Sequence, residues 1–374
     1  MTAFPLDRLI FTPDDVDLNR SPLRRTLQAD TYVLGAFNPG LTRLPGGNLL
    51  MMVRIAEALS EPVVEDRVRA IRWTPEGYRL ESWPMAQVDM TDPRQFAFKQ
   101  AGARLQGLTS ISWLLPVELT PDGSQVVAVH YDRAIEPSAS YQEYGVEDAR
   151  ISLIDGRYWM TLCSVSPERL GTSLYTSDDG LDWTLQGLVL DHLNKDMMLF
   201  EGKPDGRFLA LTRPLGDGYF AYAEDSPYRG GPSINMATSP DGLHWKPLET
   251  GGVRARKACA GSSKIGGGTP PLLTQEGWLT LYHGVEIKGA VGIYRTFWVL
   301  FDRDDPTRIV RLEDGAPLIE SDPALIAPIA HQQYLPTPVV FTTGLVDGGD
   351  VFIAASGEAD LACRITHIPK ARFV

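Results

Sequence analysis

The chain has 374 residues, of which 43% are hydrophobic, enough to bury one large core or two ordinary ones. The 47 Asp and Glu residues outnumber the 35 Lys and Arg residues, and the formal charge of -12 would repel both a phosphate backbone and an anionic lipid surface. We therefore expect no nucleic-acid partner and no membrane partner.

The first 30 residues are predicted to form an extended N-terminal arm, because Pro5, Pro13 and Pro22 are spread among several charges. No linker-like change of composition interrupts residues 31–374, so these residues are expected to form a single domain. The arm could pack against a neighbouring subunit, which leaves a homo-oligomer open.

A cytoplasmic location is expected. The N-terminus has no basic stretch followed by an apolar run of signal-peptide length, and no segment is apolar over the length of a bilayer span. Cys163, Cys259 and Cys363 are an odd number and far apart, which favours reduced thiols over a disulfide framework or a structural zinc site.

Short apolar runs bounded by Gly, Asp or Pro recur along the chain, and long helical periodicity is hard to find. Runs of this kind predict β-strands, so we expect an all-β sandwich, barrel or propeller. The runs lie at residues 49–53, 126–129, 158–162, 208–211, 278–282 and 351–355.

A repeated turn favours the propeller among these three. Thr-Ser-Asp-Asp-Gly-Leu-Asp-Trp at 176–183 is echoed by Thr-Ser-Pro-Asp-Gly-Leu-His-Trp at 238–245, and more faintly by residues 73–78. In each copy a strand leads into a turn where Gly supplies a positive φ, and the Trp residues are more typical of packing anchors than of catalysis. Strand-turn-strand units that repeat along a chain are typical of propeller blades.

Two adjacent carboxylates, Glu147 and Asp148, stand just before a strand, with Arg150 two residues further on. On their own, such residues more often form a surface ion pair than an active site. Because neighbouring side chains of an extended strand point to opposite faces, the two carboxylates are not expected to face one pocket together, and at most one of them is expected to be the acid.

Cationic residues follow in three later segments. Lys195 lies in Asn-Lys-Asp and Arg213 in Thr-Arg-Pro, and alone each could be a solvated or paired surface charge. The run Gly-Gly-Gly at 266–268 removes side-chain bulk, so a ligand or another backbone can come close. Lys264 before it and His283 after it could converge on an anion, although a buried core histidine is the alternative for His283.

Taken together and in order, these segments resemble glycoside hydrolase family 130. The resemblance runs from about residue 38 to about residue 360. It begins with Asn-Pro at 38–39 and Val-Arg at 53–54, and Val-Glu-Asp-Ala-Arg at 146–150 matches the family's Glu-Asp-Pro-Arg with Ala149 in place of Pro. The motifs at 194–196, 212–214, 266–271, 277–279 and 282–284 follow, and Glu-Ala-Asp at 358–360 is similar to the family's Ala-Ala-Asp.

The resemblance implies an all-β fold of the five-bladed β-propeller type and the activity of an inverting β-mannoside phosphorylase. Such an enzyme cleaves a β-mannosidic bond with inorganic phosphate and yields α-mannose 1-phosphate and an acceptor sugar. The partners would be a β-mannoside oligosaccharide and inorganic phosphate as co-substrate, with no cofactor and no metal. Asp148 would be the general acid, acting through the 3-hydroxyl of the bound mannose.

The resemblance also implies which residues hold the two substrates. Phosphate would be bound by Lys195, Arg213 and His283, with Lys195 standing where Arg is common in the family. The mannoside would be bound by Asn38, Arg54, Arg150, Lys264 and Asp360.

These residue types suit phosphorolysis, because phosphate is itself the nucleophile and cations can hold it in line with the bond. Two alternatives stay open. A β-mannosidase of the same family would need a second carboxylate as base, for which Glu201 and Glu286 are the candidates. A sugar-binding propeller without catalysis would not need Asp148 as an acid.

Overall fold

Nearly all regular structure in the computed structural model is β, which confirms the predicted all-β class. The structure describes residues 4–91, 95–99, 105–216, 218–261, 263–289, 291–334 and 336–373. No helix in these ranges exceeds six residues. The helices are α1 (Pro323–Ile326) and the 3-10 helices Pro13–Asp15, Leu18–Arg20, Pro22–Arg25, Met85–Gln87, Tyr131–Arg133, Ser140–Gln142, Pro204–Gly206, Ala327–Gln332 and Lys370–Phe373.

The strands include all six apolar runs predicted from the sequence. In chain order they are β1 (Asp7–Phe11), β2 (Thr31–Arg43), β3 (Leu49–Leu59), β4 (Val63–Val64), β5 (Arg67–Thr74), β6 (Gly77–Pro84), β7 (Val88–Asp89), β8 (Gln95–Phe98), β9 (Gln106–Leu108), β10 (Ser110–Leu119), β11 (Val126–Val129), β12 (Gly145–Ile154), β13 (Arg157–Val165), β14 (Leu170–Ser177), β15 (Thr184–Leu190), β16 (Asn194–Leu199), β17 (Phe208–Pro214), β18 (Asn235–Ser239), β19 (Lys246–Pro247), β20 (Lys264–Gly267), β21 (Leu272–Leu273), β22 (Trp278–Glu286), β23 (Ile293–Phe301), β24 (Ile309–Glu313), β25 (Val340–Asp347), β26 (Val351–Glu358) and β27 (Ala362–Pro369).

The main strands form five antiparallel units, numbered here in chain order. Unit 1 is β2-β3-β10-β11, unit 2 is β12 to β15, unit 3 is β16 to β19, unit 4 is β20 with β22 to β24, and unit 5 is β25 to β27 with β1. One parallel pair, between Ser112 and Gly145, joins units 1 and 2 into an eight-stranded sheet. Two small sheets, β4 to β6 and β7 to β9, are inserted between β3 and β10. The finer prediction of a five-bladed propeller stays a prediction.

Apolar clusters lie between successive units. Leu50 and Met52 of unit 1 share a cluster with Ile151 and Met160 of unit 2. Equivalent clusters join units 2 and 3, units 3 and 4, and units 4 and 5, and a further cluster joins unit 5 to unit 1. The units therefore follow one another in space in the same order as in the chain.

The N-terminal segment, predicted as an extended arm, lies on the body of the protein. Strand β1 pairs with β27, so the two ends of the chain share unit 5. Phe11 and Leu23 are fully buried in the cluster that joins units 5 and 1. The Asp7 carboxylate accepts two hydrogen bonds of 2.6 Å from the guanidinium of Arg364.

The repeated sequence motif forms the predicted turn. The N–H groups of Gly180 and Gly242 each donate to the serine hydroxyl three residues earlier at 2.8 Å, and φ is 84° and 81° at the two glycines. Asp179 and Asp241 accept backbone N–H bonds within the same turns. These aspartates serve the turns and lie outside the site described next.

None of the helices in the described ranges is long and apolar enough to cross a bilayer. Cys163, Cys259 and Cys363 are all free and buried.

Candidate active site

The first strands of units 1, 2 and 3 carry the same irregularity. The pairing of β2, β12 and β16 with the next strand shifts register around Asn38, Asp148 and Asp196. These residues have φ of 49°, 53° and 61°, in the left-handed region that Asn and Asp tolerate better than other side chains. A bulge of this kind re-aims a side chain, and here it turns three polar side chains toward a common space.

Asp360 reaches the same space from a hairpin. Ala359 and Asp360 connect β26 to β27 with φ of 57° and 51°, and the N–H of Leu361 donates to the carbonyl oxygen of Glu358 at 3.0 Å. Two consecutive residues with positive φ define a tight hairpin turn. The turn places Asp360 beside Asn38 in the wall of the site.

The two adjacent carboxylates share one partner but line different cavities, in keeping with the expectation that they do not both face one pocket. Arg54 donates from one nitrogen to Asp148 at 3.0 Å and from the other to Glu147 at 2.8 Å. The bulge at Asp148 interrupts the strand and leaves both side chains within reach of one guanidinium, although they face different cavities.

The two carboxylates differ in whether an oxygen remains available for a further hydrogen bond. Glu147 is bound at both oxygens, by Arg54 and by Lys195 at 3.1 Å. The Oδ1 of Asp148 accepts bonds from Asn38 and Arg54, whereas its Oδ2 receives no hydrogen bond from the residues described. Asp148 is therefore the carboxylate with an oxygen available to a substrate.

Asp148 is ionised in the unliganded site. Burial opposes its ionisation, but the charges of Arg54, Arg150 and Lys195 and the hydrogen bond from Asn38 together hold its pKa well below the ordinary value. An acid must carry a proton, so a bound substrate has to change this balance before Asp148 can donate one.

The three residues predicted to bind phosphate lie together. Lys195, Arg213 and His283 line a cavity of about 430 Å³ with Asp148, and we call it the first cavity. A guanidinium nitrogen of Arg213 lies 3.4 Å from the ring nitrogen Nε2 of His283. Lys264 lines the same cavity, with its ammonium 5.2 Å from the centre of the Tyr294 ring.

His283 is neutral. Burial, assisted by the charges of Arg213, Lys264 and Arg150 and opposed by Asp196, lowers the pKa of His283 to about 3. Arg213 can only donate, so Nε2 of His283 accepts and Nδ1 carries the proton. That Nδ1 is buried without a hydrogen-bond partner among the described residues.

Asp196 is central to the site, although it was not among the residues predicted to carry its chemistry. Its carboxylate lies 3.0 Å from Arg150 and 2.9 Å from Arg213, and both of these charges lower its pKa although burial opposes them. The signal was present, because Asp196 follows Lys195 in the same motif. Asp196 holds Arg213 where that residue lines the first cavity.

Arg150, predicted to bind the mannoside, lies beneath the site. It donates to the carbonyl oxygen of Asp148 at 2.7 Å, to Asp196, and to the carbonyl oxygens of Gly267 and Gly268 at 3.3 Å. The side chain is 2% exposed and does not line the first cavity. Its contacts fix the bulge at Asp148 relative to Asp196 and the glycine run.

A second cavity of about 320 Å³ adjoins the first. Asn38, Lys195 and Asp360 line both, and Arg54 and Glu147 line the second. The structure thus gathers the predicted residues around two connected cavities, with Arg150 as the exception. They are Asn38, Asp148, Lys195, Arg213, Lys264, His283 and Asp360 on the first cavity, and Arg54 on the second.

The glycine run serves close packing of protein against protein. A Cβ on Gly268 would lie 2.6 Å from the carbonyl oxygen of Leu281, and one on Gly267 would lie 2.3 Å from the methyl group of Met198. A Cβ on Gly266 would lie 2.5 Å from both Arg213 and the His283 ring. The contact at Gly266 bears directly on Arg213 and His283, two of the residues predicted to bind phosphate.

The two carboxylates considered as hydrolytic bases lie elsewhere. Glu201 lies beyond the end of β16, where the N–H of Leu153 donates to it at 3.4 Å and burial raises its pKa to about 8. Glu286 is paired with Arg295 at 3.1 Å. Neither lines the first or the second cavity.

The glycoside hydrolase 130 family model, described as beta-1,4-mannooligosaccharide phosphorylase, matches residues 115–373. The chain therefore belongs to glycoside hydrolase family 130, and the resemblance seen in its motifs is confirmed.

Individual relatives agree with this. A beta-1,2-mannobiose phosphorylase of Listeria innocua is 31% identical over 341 residues, covering 88% of this chain and 87% of the relative. A 1,2-beta-oligomannan phosphorylase of Thermoanaerobacter sp. (strain X514) is 28% identical and covers 61% of this chain and 70% of the relative.

Solved structures match over the whole chain. The Listeria innocua beta-1,2-mannobiose phosphorylase, in complex with beta-1,2-mannobiose, superposes with a TM-score of 0.76 at 26% identity, covering 97% of this chain and 95% of that one. A glycosidase structure from Bacteroides thetaiotaomicron, with a TM-score of 0.65 at 20% identity and coverage of 96% and 94%, shows the fold alone.

Proposed function

We propose that the protein is an inverting β-mannoside phosphorylase that uses inorganic phosphate to release α-mannose 1-phosphate. The observation that carries this is the position of Asp148. Its unpartnered oxygen belongs to the same cavity as Lys195, Arg213 and His283, so an acid and an anion site face one space. Family membership and the phosphorylase relatives support the same activity.

The charges around the site favour a bound dianion. The two cavities and the layer beneath them hold five cationic side chains, Arg54, Arg150, Lys195, Arg213 and Lys264, and four carboxylates, Glu147, Asp148, Asp196 and Asp360. The balance of +5 and -4 is +1 in the unliganded site, and a phosphate dianion brings it to -1. One proton taken up by Asp148 restores neutrality. Binding of phosphate therefore raises the affinity of Asp148 for the proton that it must donate.

The neutral His283 suits phosphate as well. Its Nδ1–H lacks a hydrogen-bond partner among the described residues but is enclosed by protein, so the ring would have to move for this group to donate to a phosphate oxygen. Phosphate held by Lys195, Arg213 and His283 would attack the anomeric carbon on the face opposite the leaving group, which gives inversion. The family resemblance adds that Asp148 acts through the 3-hydroxyl of the mannose.

Mannose fits between the phosphate and the second cavity. Asn38 and Asp360 line both cavities, and Lys264 lines the first and Arg54 the second, so a sugar placed there meets hydrogen-bonding groups from both sides. The acceptor part of the substrate would then occupy the second cavity.

The linkage is proposed to be β-1,2. The relatives from Listeria innocua and Thermoanaerobacter are named for β-1,2-linked mannosides. A β-1,4-mannooligosaccharide phosphorylase of Ruminococcus albus is 26% identical and covers 48% of this chain.

A five-bladed propeller is the arrangement we propose for the five units. Each unit packs through an apolar cluster on the next, and unit 5 packs on unit 1, so the contacts close a ring. Asn38, Asp148, Lys195 and Lys264 come from the first strands of units 1 to 4, as expected if these strands lie nearest the axis. Arg54, Arg213 and His283 come from the second main strands of their units. Three buried, unpaired cysteines favour a reducing compartment and support the proposed cytoplasmic location.

The test is a product assay with purified protein. β-1,2-mannobiose, β-1,4-mannobiose and mannosyl-β-1,4-N-acetylglucosamine are each incubated with and without inorganic phosphate. We expect mannose 1-phosphate from β-1,2-mannobiose in the presence of phosphate. Free mannose at the same rate in both conditions would instead identify a hydrolase, and unchanged disaccharides would leave a sugar-binding protein.

A further inference from the structure

A third cavity of about 730 Å³ extends the site away from Asp148. It shares Gln333 and Tyr334 with the second cavity, so the two lie side by side. Strand β2 runs along both, with Tyr32 on the third cavity and Asn38 on the second. Tyr32 and Asn38 are six positions apart along the strand, which is at most about 20 Å, long enough for several sugar rings.

The lining of the third cavity has the character of a carbohydrate site. Tyr32 and Tyr334 are large and 37% and 42% exposed, and each offers an aromatic face with a polar hydroxyl at its edge. The two rings are neighbours, since the Tyr334 hydroxyl, together with burial, raises the pKa of Tyr32. Exposed aromatic faces beside amide groups suit the apolar faces and hydroxyl rim of a pyranose.

Gln332 supplies a polar group without a protein partner. Its amide nitrogen donates to Asp14 at 2.7 Å, whereas its side-chain oxygen is buried and receives no hydrogen bond from the described residues. A buried unpaired acceptor is costly. This oxygen is enclosed by protein, so it would meet a ligand hydroxyl in the cavity after a rotation of the Gln332 side chain.

The wall that carries these residues is held in place before any ligand binds. Glu358 is fully buried and accepts bonds from the Ser321 hydroxyl and from the Asp322 N–H at 3.0 Å. Asp322 in turn caps α1, and Ile326 packs with Leu361 in a small apolar cluster. The segment that ends at Tyr334 is thereby fixed to the hairpin that carries Asp360.

We propose that the third cavity is an outer subsite for mannose units beyond the cleaved bond, and that the enzyme acts on oligomannosides in preference to the disaccharide. This inference rests on the proposed phosphorylase function. Tyr334, which lines both the second and the third cavity, and its neighbour Tyr32, which lines the third, are the residues that determine the preference.

The experiment compares kcat/KM for β-1,2-linked mannobiose, mannotriose and mannotetraose at saturating phosphate. We expect at least a tenfold advantage of the tetrasaccharide over the disaccharide, corresponding to about 1.4 kcal/mol of additional binding in the transition state. In Tyr32→Ala and Tyr334→Ala the ratio should fall toward one. Leu243→Ala, an exposed apolar change that lines none of the three cavities, should keep the ratio.

Two outcomes would overturn the inference. Equal kcat/KM for all three chain lengths in the unaltered enzyme would show that the third cavity binds no sugar. A ratio that survives in both tyrosine variants would place chain-length selection elsewhere. Absence of mannose 1-phosphate from every substrate is a different result, because it rejects the phosphorylase function itself.

Discussion

At the scale of single residues, the site depends on how one carboxylate differs from its neighbour. Glu147 is bound by Arg54 and Lys195 at both oxygens, whereas Asp148 keeps one oxygen for the substrate. The difference arises from the bulge, which gives Asp148 a left-handed backbone and turns it into the first cavity.

We predict that Asp148→Asn lowers the rate of bond cleavage by about 10²- to 10⁴-fold while the protein stays folded, because the amide cannot donate the acid's proton. Asn tolerates the left-handed conformation, so the change is chemical. Asp155→Asn is the matched control, since Asp155 also has a positive φ of 52° but its side chain is 64% exposed in a turn. Equal activity of the two variants would reject Asp148 as the acid.

The neutral state of His283 has a consequence for stability. The folded protein holds the pKa of His283 at about 3, whereas a histidine in the unfolded chain titrates near its ordinary value of about 6.5. Below about pH 6.5 this histidine is therefore protonated in the unfolded state and still neutral in the folded state. The free energy of unfolding should fall by about 1.4 kcal/mol per pH unit from this residue as the pH drops from 6.5 to 5.

Urea unfolding at pH 7, 6 and 5 measures this contribution. The depressed pKa values of Asp148 and Asp196 affect stability only near and below the ordinary carboxyl pKa of about 3.9. Glu201, whose pKa is raised to about 8, contributes a slope of opposite sign between pH 5 and 7, so the contribution of His283 is the difference between the unaltered protein and a His283 variant. His283→Gln should change the slope of the free energy of unfolding against pH by about 1.4 kcal/mol per pH unit below pH 6.5, and His244→Gln, whose side chain is 83% exposed, should leave the slope unchanged. The same slope in His283→Gln as in the unaltered protein would contradict a neutral, buried His283.

The sequence predicted residue identities better than residue roles. Lys195, Arg213 and His283 could be found because their motifs stand in a fixed order. Arg150 could not be placed beneath the site from sequence, because its four acceptors come from three separate strands and loops. Glu147 and Asp148 line different cavities, as expected for neighbours on a strand. Their shared contact with Arg54 depends on a bulge, which has no sequence signature beyond Asp at a strand position.

At the scale of elements, the glycine run at 266–268 positions strand β20 against its neighbours. The sequence showed that bulk had to be absent, but not whether a ligand or another part of the chain filled the space. The structure answers this, because each glycine faces protein atoms.

We predict that Gly266→Ala and Gly268→Ala have different effects. A methyl group at 268 meets backbone oxygens of Leu281 and Thr342, which cannot move easily. The free energy of unfolding of Gly268→Ala should therefore fall by about 1–3 kcal/mol. A methyl group at 266 meets the ends of Arg213 and His283, so the main effect should be a rise of about tenfold in the KM for phosphate, equivalent to about 1.4 kcal/mol of lost binding.

Urea unfolding and phosphate kinetics of both variants separate these effects. Gly46→Ala is the control, because a Cβ there meets no atom within 4 Å. An unchanged KM for phosphate in Gly266→Ala would remove Arg213 and His283 from the phosphate site.

At the scale of the whole molecule, the chain ends are joined within one sheet. Strand β1 completes unit 5, and the ion pair of Asp7 with the buried Arg364 fastens it. Arg364 also binds Glu358, which anchors the wall of the third cavity, so the closure and the site share one network.

Asp7→Ala should therefore lower the free energy of unfolding by about 3 kcal/mol, because it leaves the buried guanidinium of Arg364 with one carboxylate in place of two. Asp132→Ala, with a side chain 71% exposed, is the control and should change stability by less than about 0.5 kcal/mol. Equal midpoints of urea unfolding for the two variants would show that β1 adds little to the closure of the molecule.

The central claim is that phosphate, held by Lys195, Arg213 and His283, is the group that attacks the mannoside. The most direct test is the initial rate of β-1,2-mannobiose cleavage as a function of phosphate concentration. We predict a rate that saturates with phosphate and extrapolates to zero in its absence, with mannose 1-phosphate as the product. A finite rate at zero phosphate that releases free mannose would contradict the claim.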